Sequence, residues 1–121
     1  MSTGPTNWAG NIAFAARSVE RPRTVAELQD IVRASEKVRV LGSGHSFNSI
    51  ADTKDTLVLL ADLDRRIEVD PTALTVSIDG GATYADVAPV LHAAGFALRN
   101  VASLPNITIA GAIVTATHGS G

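Results

Sequence analysis

The sequence predicts a mixed fold of helices and strands, of the α/β or α+β class, on three observations. Two short runs dominated by aliphatic residues, 38–41 and 56–60, read as buried strands. Two longer stretches, opening at Thr24 and Thr83, repeat apolar residues at helical spacing behind a threonine that has an acidic residue three positions on. The order strand, helix, strand, loop, strand puts a glycine-bearing loop at the carboxyl end of a strand, where ligands commonly sit in open sheets.

Taken in order, residues 8–14 read as an irregular entry followed by a short strand, and 18–22 as a strand stopped by Pro22. Thr24 and Glu27 make a capping box for the first helix. Its apolar face carries Val25, Leu28, Ile31 and Val32, and it is expected to run to about Glu36. After the strands at 38–41 and 56–60, Ile67-Glu68-Val69 and Thr75-Val76-Ser77-Ile78 alternate in polarity about a turn at Asp70-Pro71-Thr72. That predicts a hairpin ended by Asp79-Gly80-Gly81. Thr83 with Asp86 caps the second helix, with Val87, Val90 and Leu91 facing inward and Gly95 as terminator. Pro89 deletes a donor inside it and crowds the carbonyl four residues earlier, so a bend or a later start is expected. Residues 96–98 return to an extended path, and Thr108 is placed to cap a short small-residue helix, 109–115.

Composition narrows the function classes. With 121 residues, 45% hydrophobic and 18% charged, the starting assumption is one globular unit. A formal charge of -2 without any dense block of Lys or Arg argues against nucleic-acid binding. The absence of cysteine removes disulfides and thiolate chemistry. No apolar run reaches membrane-spanning length, and residues 1–7 lack a basic flank before an apolar core, which points to a soluble, cytoplasmic protein with no membrane partner. The chain stops on Gly119-Ser120-Gly121 while apolar density is still high over 107–114, so a truncated protein is expected.

The most informative stretch is Val38-Arg39-Val40-Leu41-Gly42-Ser43-Gly44-His45-Ser46-Phe47-Asn48. Gly42 and Gly44 permit positive φ and close approach of a ligand, so successive N–H groups and the hydroxyls of Ser43 and Ser46 converge on an anion such as a diphosphate. His45 stands at the tip as a reactive side chain. A second Gly/His element follows, Thr117-His118-Gly119-Ser120-Gly121, and the pair points to a nucleotide-type cofactor. A nicotinamide-binding Rossmann loop is disfavoured, because the third glycine of GxGxxG is missing and no helix begins there.

These motifs, with Ser103-Leu104-Pro105 between them, resemble those of flavoproteins of the vanillyl-alcohol oxidase type (PCMH-type FAD-binding), over nearly the whole chain. Within that group they most resemble the alditol oxidases, including xylitol oxidase, with aldonolactone oxidases and dehydrogenases as the next relatives. The resemblance implies an α+β fold: the N-terminal part of a two-subdomain FAD-binding domain over 1–121, with a first subdomain of about 1–62, the start of a second at about 63–121, and the substrate domain missing. It implies FAD held by Leu41, Gly42, Ser43, Gly44, His45 and Ser46, and lined by Ser103, Ala110, Gly111, Thr115, Thr117, His118 and Gly119. It also implies a covalent bond from a ring nitrogen of His45 to the flavin C8 methyl carbon, for which a neutral imidazole is a competent nucleophile. The implied reaction oxidises a polyol with dioxygen as acceptor, giving hydrogen peroxide. Asn106 stands where these oxidases often have His, and Ala116 where Gly is frequent. No catalytic base is assigned.

Plainer readings stand beside these. His118 is read as a packing or hydrogen-bonding residue, His92 as a surface residue on the second helix, and Trp8 as a core plug or subdomain clasp. Residues 62–66 are read as a solvated charged turn, and no metal site is expected from His45, His92 and His118. The functional alternatives are an aldonolactone oxidase or dehydrogenase, and a truncated flavin-binding module with no catalysis of its own.

Overall fold

The computed structural model describes residues 4–46 and 48–120, so Phe47 and Gly121 of the two motifs lie outside the described residues. The chain forms two compact units, Met1–Leu63 and Asp64–Gly121, where length alone suggested one.

The first unit holds β1 (Ser18–Glu20), α1 (Val25–Ala34), β2 (Val38–Leu41) and β3 (Thr56–Leu59). The three strands are parallel in the order β1-β3-β2, with Ser18 and Val38 both in register with Thr56. A central parallel strand is covered on both faces, which is why Leu57 and Val58 are both apolar and both fully buried. Leu57 packs with Phe14 and Leu41, and Ile12, Ala16, Ala51 and Leu59 close around them. Thr24 caps α1 by accepting the Glu27 N–H at 3.1 Å. The Glu27 carboxylate, however, takes the Arg23 N–H at 2.7 Å, so the capping box predicted between Thr24 and Glu27 is not reciprocal. α1 stops at Ala34 and not near Glu36, because Ser35 turns extended and its hydroxyl donates to the Ile31 carbonyl at 2.7 Å. Its apolar face is only partly covered, with Val25 and Val32 exposed. The strand expected near 12–14 is reduced to a single bridge between Thr6 and Ala13.

The second unit holds β4 (Ile67–Asp70), β5 (Thr75–Ile78), α2 (Tyr84–Ala93) and α3 (Ile109–Val114). β4 and β5 pair antiparallel, Ile67 opposite Ile78, and the Asp70 carboxylate pins their turn by accepting the N–H groups of Thr72 and Ala73 at 2.9 Å. α2 starts directly after Thr83, so Pro89 does not delay it and sits inside a continuous helix. Its capping box is complete: Asp86 N–H donates to Thr83 Oγ1 at 3.3 Å, and Thr83 N–H donates to Asp86 Oδ2 at 2.9 Å. Val87 and Leu91 are buried with Ala82 and Ile109, against Ile67, Val69, Val76 and Ile78 of the hairpin. Val90, expected on that inner face, is exposed at its rim.

α2 and α3 end in the same way. Gly95 at φ +81 lets its N–H reach the His92 carbonyl at 3.0 Å and the Phe96 N–H reach Leu91 at 2.8 Å. After α3, Ala116 N–H donates to Ile113 at 3.3 Å and Thr117 N–H to Ala112 at 2.9 Å, with Ala116 itself at φ +53. α3 is one residue shorter than expected, and Thr108 precedes it without a side-chain cap. No helix among the described residues is long and apolar enough to cross a membrane.

Candidate functional site

β2 runs parallel to β3, so the chain leaving the end of β2 must return along the sheet, and the described residues between 42 and 55 include no helix. The glycine-bearing loop is the start of that return. The Leu41 side chain lies in the core, which leaves its backbone as what it offers a ligand. Gly44 is at φ +74, and a Cβ there would lie 3.4 Å from the Trp8 nitrogen and 3.6 Å from Asn7 Cα. The N-terminal segment crosses at this point. Trp8 N–H donates to the Gly44 carbonyl at 2.7 Å, and Asn7 Nδ2 donates to the Ser46 carbonyl at 3.1 Å. Asn7 is 3% exposed, and its carboxamide is further engaged by Asn11 Oδ1 at 2.8 Å and the Ile12 N–H at 3.1 Å.

Between those two fastened carbonyls, the His45 ring stacks on the Trp8 indole, with centroids 5.1 Å apart and planes 17° from parallel. Trp8 is 67% exposed, so it is not the core plug that its type suggested. Nδ1 of His45 is buried and has no hydrogen-bond partner. Leaving a buried polar atom unsatisfied costs about 1–3 kcal/mol, so such an atom in a native fold calls for a role. Among the described residues, no hydrogen bond engages the N–H groups of Ser43, Gly44, His45 or Ser46, or the hydroxyls of Ser43 and Ser46. An open hollow of about 440 Å³, lined by Lys37, Val38, Arg39, Asp52, Thr53 and Lys54, is bordered by none of the expected flavin contacts.

The other expected contacts belong to the second unit. A Cβ on Gly119 would lie 2.6 Å from the Val101 carbonyl oxygen and 3.9 Å from Ser103 Oγ, so the fold brings Ser103 and Gly119 together and leaves no room for a side chain. Thr115 Oγ1 donates to the Gly111 carbonyl at 2.9 Å and meets Thr117 Oγ1 at 3.0 Å. Ala110 is exposed on α3. His118 is exposed, with Nδ1 2.8 Å from the Gly119 carbonyl. The start of α2 is closed by the chain itself: Tyr84 N–H donates to Ile107 at 3.2 Å, and Ala85 N–H to Pro105 at 2.8 Å.

The stretch 62–66 is more than a solvated turn. Asp62 pairs with Arg21 at 3.0 Å, Arg65 with Asp86 at 3.1 Å, and the Arg66 N–H donates to Asp79 at 3.1 Å. The Thr83 N–H, above all, holds the Asp86 carboxyl below its usual range; partial burial opposes this, and the Thr83 hydroxyl and Arg65 assist. The Lys37 N–H does the same for Asp55, with Arg17 assisting. His92 is exposed on α2, and no group of three or more His, Cys, Asp or Glu among the described residues could hold a metal ion.

Residues 16–121 match the family described as an FAD binding domain. The chain belongs to that family. Over its whole length it is 52% identical to an alditol oxidase of a Streptomyces species and 36% identical to the L-gulono-1,4-lactone dehydrogenase of Mycobacterium tuberculosis. It spans 30% and 29% of those two proteins. In structure, 98% of the chain superposes on 24% of the cholesterol oxidase of Brevibacterium sterolicum, with a TM-score of 0.81 at 22% identity, a likeness of fold alone.

An FAD binding domain must satisfy a diphosphate and an isoalloxazine ring system, and the loop after β2 has the means. Its free N–H groups and two hydroxyls are donors for an anion, and His45 Nδ1 is a buried nitrogen without a partner. Sequence reasoning found this loop but missed Asn7. The visible signal was an asparagine followed at once by the lone tryptophan, in a segment with no periodicity.

Proposed function

We propose that these 121 residues are the FAD-binding portion of an oxidoreductase that oxidises a polyol such as xylitol with dioxygen as acceptor. The two subdomains are assigned to about 1–62 and 63–121, and the protein to the cytoplasm. The buried, unpartnered Nδ1 of His45 carries the proposal, together with 52% identity to an alditol oxidase. FAD, when bound, supplies the redox chemistry, accepting a hydride from the alcohol carbon and delivering two electrons to dioxygen, which leaves as hydrogen peroxide.

The chain's part is to bind and orient. The N–H groups of 43–46 and the hydroxyls of Ser43 and Ser46 hold the diphosphate, with Leu41 and Gly42 contributing backbone. Ser103, Ala110, Gly111, Thr115, Thr117, His118 and Gly119 line the flavin. His45 would hold the flavin through a bond from a ring nitrogen to its C8 methyl carbon. The groups that bind polyol and accept its hydroxyl proton are assigned to polypeptide beyond these residues, since the related alditol oxidase is more than three times as long as the part matched.

The test is to express the chain with ample FAD, denature it and look for flavin fluorescence migrating with the polypeptide on a gel. Fluorescence in the wild type and none in His45→Ala is the expected result. A dark wild type, or a fluorescent His45→Ala, overturns the tether, and the absorbance of the native protein then reports whether untethered FAD is bound. The 36% identity to a gulonolactone dehydrogenase favours a second reading, oxidation of a sugar lactone. Turnover of a lactone with slow reaction toward oxygen would decide for it.

A further inference from the structure

We propose that Asn7 and Trp8 are positioning residues that set the His45 ring for its bond to the flavin; this rests on the tether assigned above. His45 sits in a loop without regular structure, among glycines and serines, which by itself holds no side chain in one direction. A nucleophile must be held within a fraction of an ångström of its productive position, and a supporting shell has to do the holding.

The structure supplies that shell from the N-terminal segment. The carbonyl before His45, on Gly44, accepts the Trp8 N–H at 2.7 Å, and the carbonyl after it, on Ser46, accepts Asn7 Nδ2 at 3.1 Å. Fastening the peptide group that precedes His45 and the Ser46 carbonyl one residue further on limits how the backbone at His45 can turn, and with it the direction in which the side chain leaves. The carboxamide doing part of this is itself fixed, since Asn11 Oδ1 accepts its other N–H and its oxygen accepts the Ile12 N–H. What remains is rotation of the ring, and the indole stacked at 5.1 Å and 17° restricts it. Stacking has a specific merit here. A hydrogen-bonding partner for Nδ1 would orient the ring but occupy its lone pair, whereas an aromatic face orients the ring and leaves Nδ1 unengaged, as observed. Both residues precede residue 16, where the match to the FAD binding domain begins, so this shell lies outside the part of the chain that the family defines.

The reaction it serves joins an imidazole nitrogen to the C8 methyl carbon, with loss of one N–H and one C–H proton and transfer of two electrons to dioxygen, forming hydrogen peroxide. Its progress is read directly as flavin that survives denaturation. The full chain would be prepared without flavin, mixed with FAD in air and sampled over time, measuring tethered flavin on denaturing gels and untethered FAD after acid release. The variants are Trp8→Ala, which removes the stacked face; Trp8→Phe, which keeps one; and Asn7→Asp, which keeps the acceptor for Ile12 but loses both donations.

Trp8→Ala should slow tethering roughly 10–100-fold, leaving bound but acid-releasable FAD and an unchanged melting temperature, since Trp8 is largely exposed. Trp8→Phe should restore most of the rate, and Asn7→Asp should slow it. A fluorescent wild type with Trp8→Ala equally fast sinks the positioning role and leaves the tether standing, and Trp8→Phe as slow as Trp8→Ala does the same. A wild type that never becomes fluorescent removes the tether and this proposal with it.

Discussion

His45 and His118 each sit among glycine and serine in a segment without regular structure, and their ring nitrogens meet opposite fates. Nδ1 of His118 lies in the open, 2.8 Å from the carbonyl of the next residue. Nδ1 of His45 is enclosed with nothing to bond, under the indole of a residue far away in sequence. The same residue type in the same kind of local sequence is thus a satisfied surface group in one unit and an orphaned buried one in the other. Long-range fastening makes the difference: Asn7 and Trp8 close over the first loop, whereas His118 finds its partner next door.

The sharpest way to break this contrast is substitution of each histidine in turn. His118→Ala should keep the flavin fluorescence that His45→Ala loses; equal loss in both would erase the distinction. Next in size is Gly119→Ala. Its methyl carbon would lie 2.6 Å from the Val101 carbonyl oxygen, where backbone and not a flexible side chain must yield, and the cost should be about 1–3 kcal/mol in a urea melt. Gly44→Ala meets softer contacts at 3.4 Å, so its cost should be the smaller one, mostly that of φ +74.

A smaller effect separates the ends of α2 and α3. Both close with the same pair of bonds, but α2 has Gly95 at the left-handed position and α3 has Ala116 at φ +53. Ala116→Gly should therefore stabilise by up to about 1 kcal/mol and Gly95→Ala destabilise by about as much, read as opposite shifts in melting temperature. The smallest expected effect is in acid. Asp55 in the first unit and Asp86 in the second both have folded-state values lowered from the ordinary one, first by a backbone N–H. A lowered value means that the stabilisation is present in full above the unfolded value, about 3.9, and is lost as pH falls through the folded value below it. Melting temperature should be flat above about pH 5 and fall below it, and Asp86→Asn should blunt the fall.

Much of this was legible in local patterns. Val38 to Gly44 reads as strand into loop because aliphatic residues favour the sheet and glycine interrupts it, and Thr83 with Asp86 announces α2 because both halves of its box are local in sequence. The misreadings were choices among near-equal partners. The Glu27 carboxylate takes the N–H of Arg23, one residue before the Thr24 N–H that a capping box would have used. Val90 lay at helical spacing from Val87, yet the buried face of α2 is narrow enough to leave it at the rim. The shell around His45 was hidden for a different reason. Asn7 meets Ser46, and Trp8 meets His45, across a gap that no periodicity spans.

β3 lies between β1 and β2, and in this sheet each of those strands is bonded to β3 and not to the other. On a ribosome this sets an order of events. The segments that become β1 and β2 emerge early and have no partner in the sheet until residues 56–59 follow them out, so the sheet closes around its latest strand. The loop that carries His45 is the tether between an early strand and that late one, and it has no fixed ends until both are paired. Asn7 then meets a loop whose shape depends on residues synthesised some fifty positions after it. A histidine fastened this way takes its final orientation only once the whole first unit has been made.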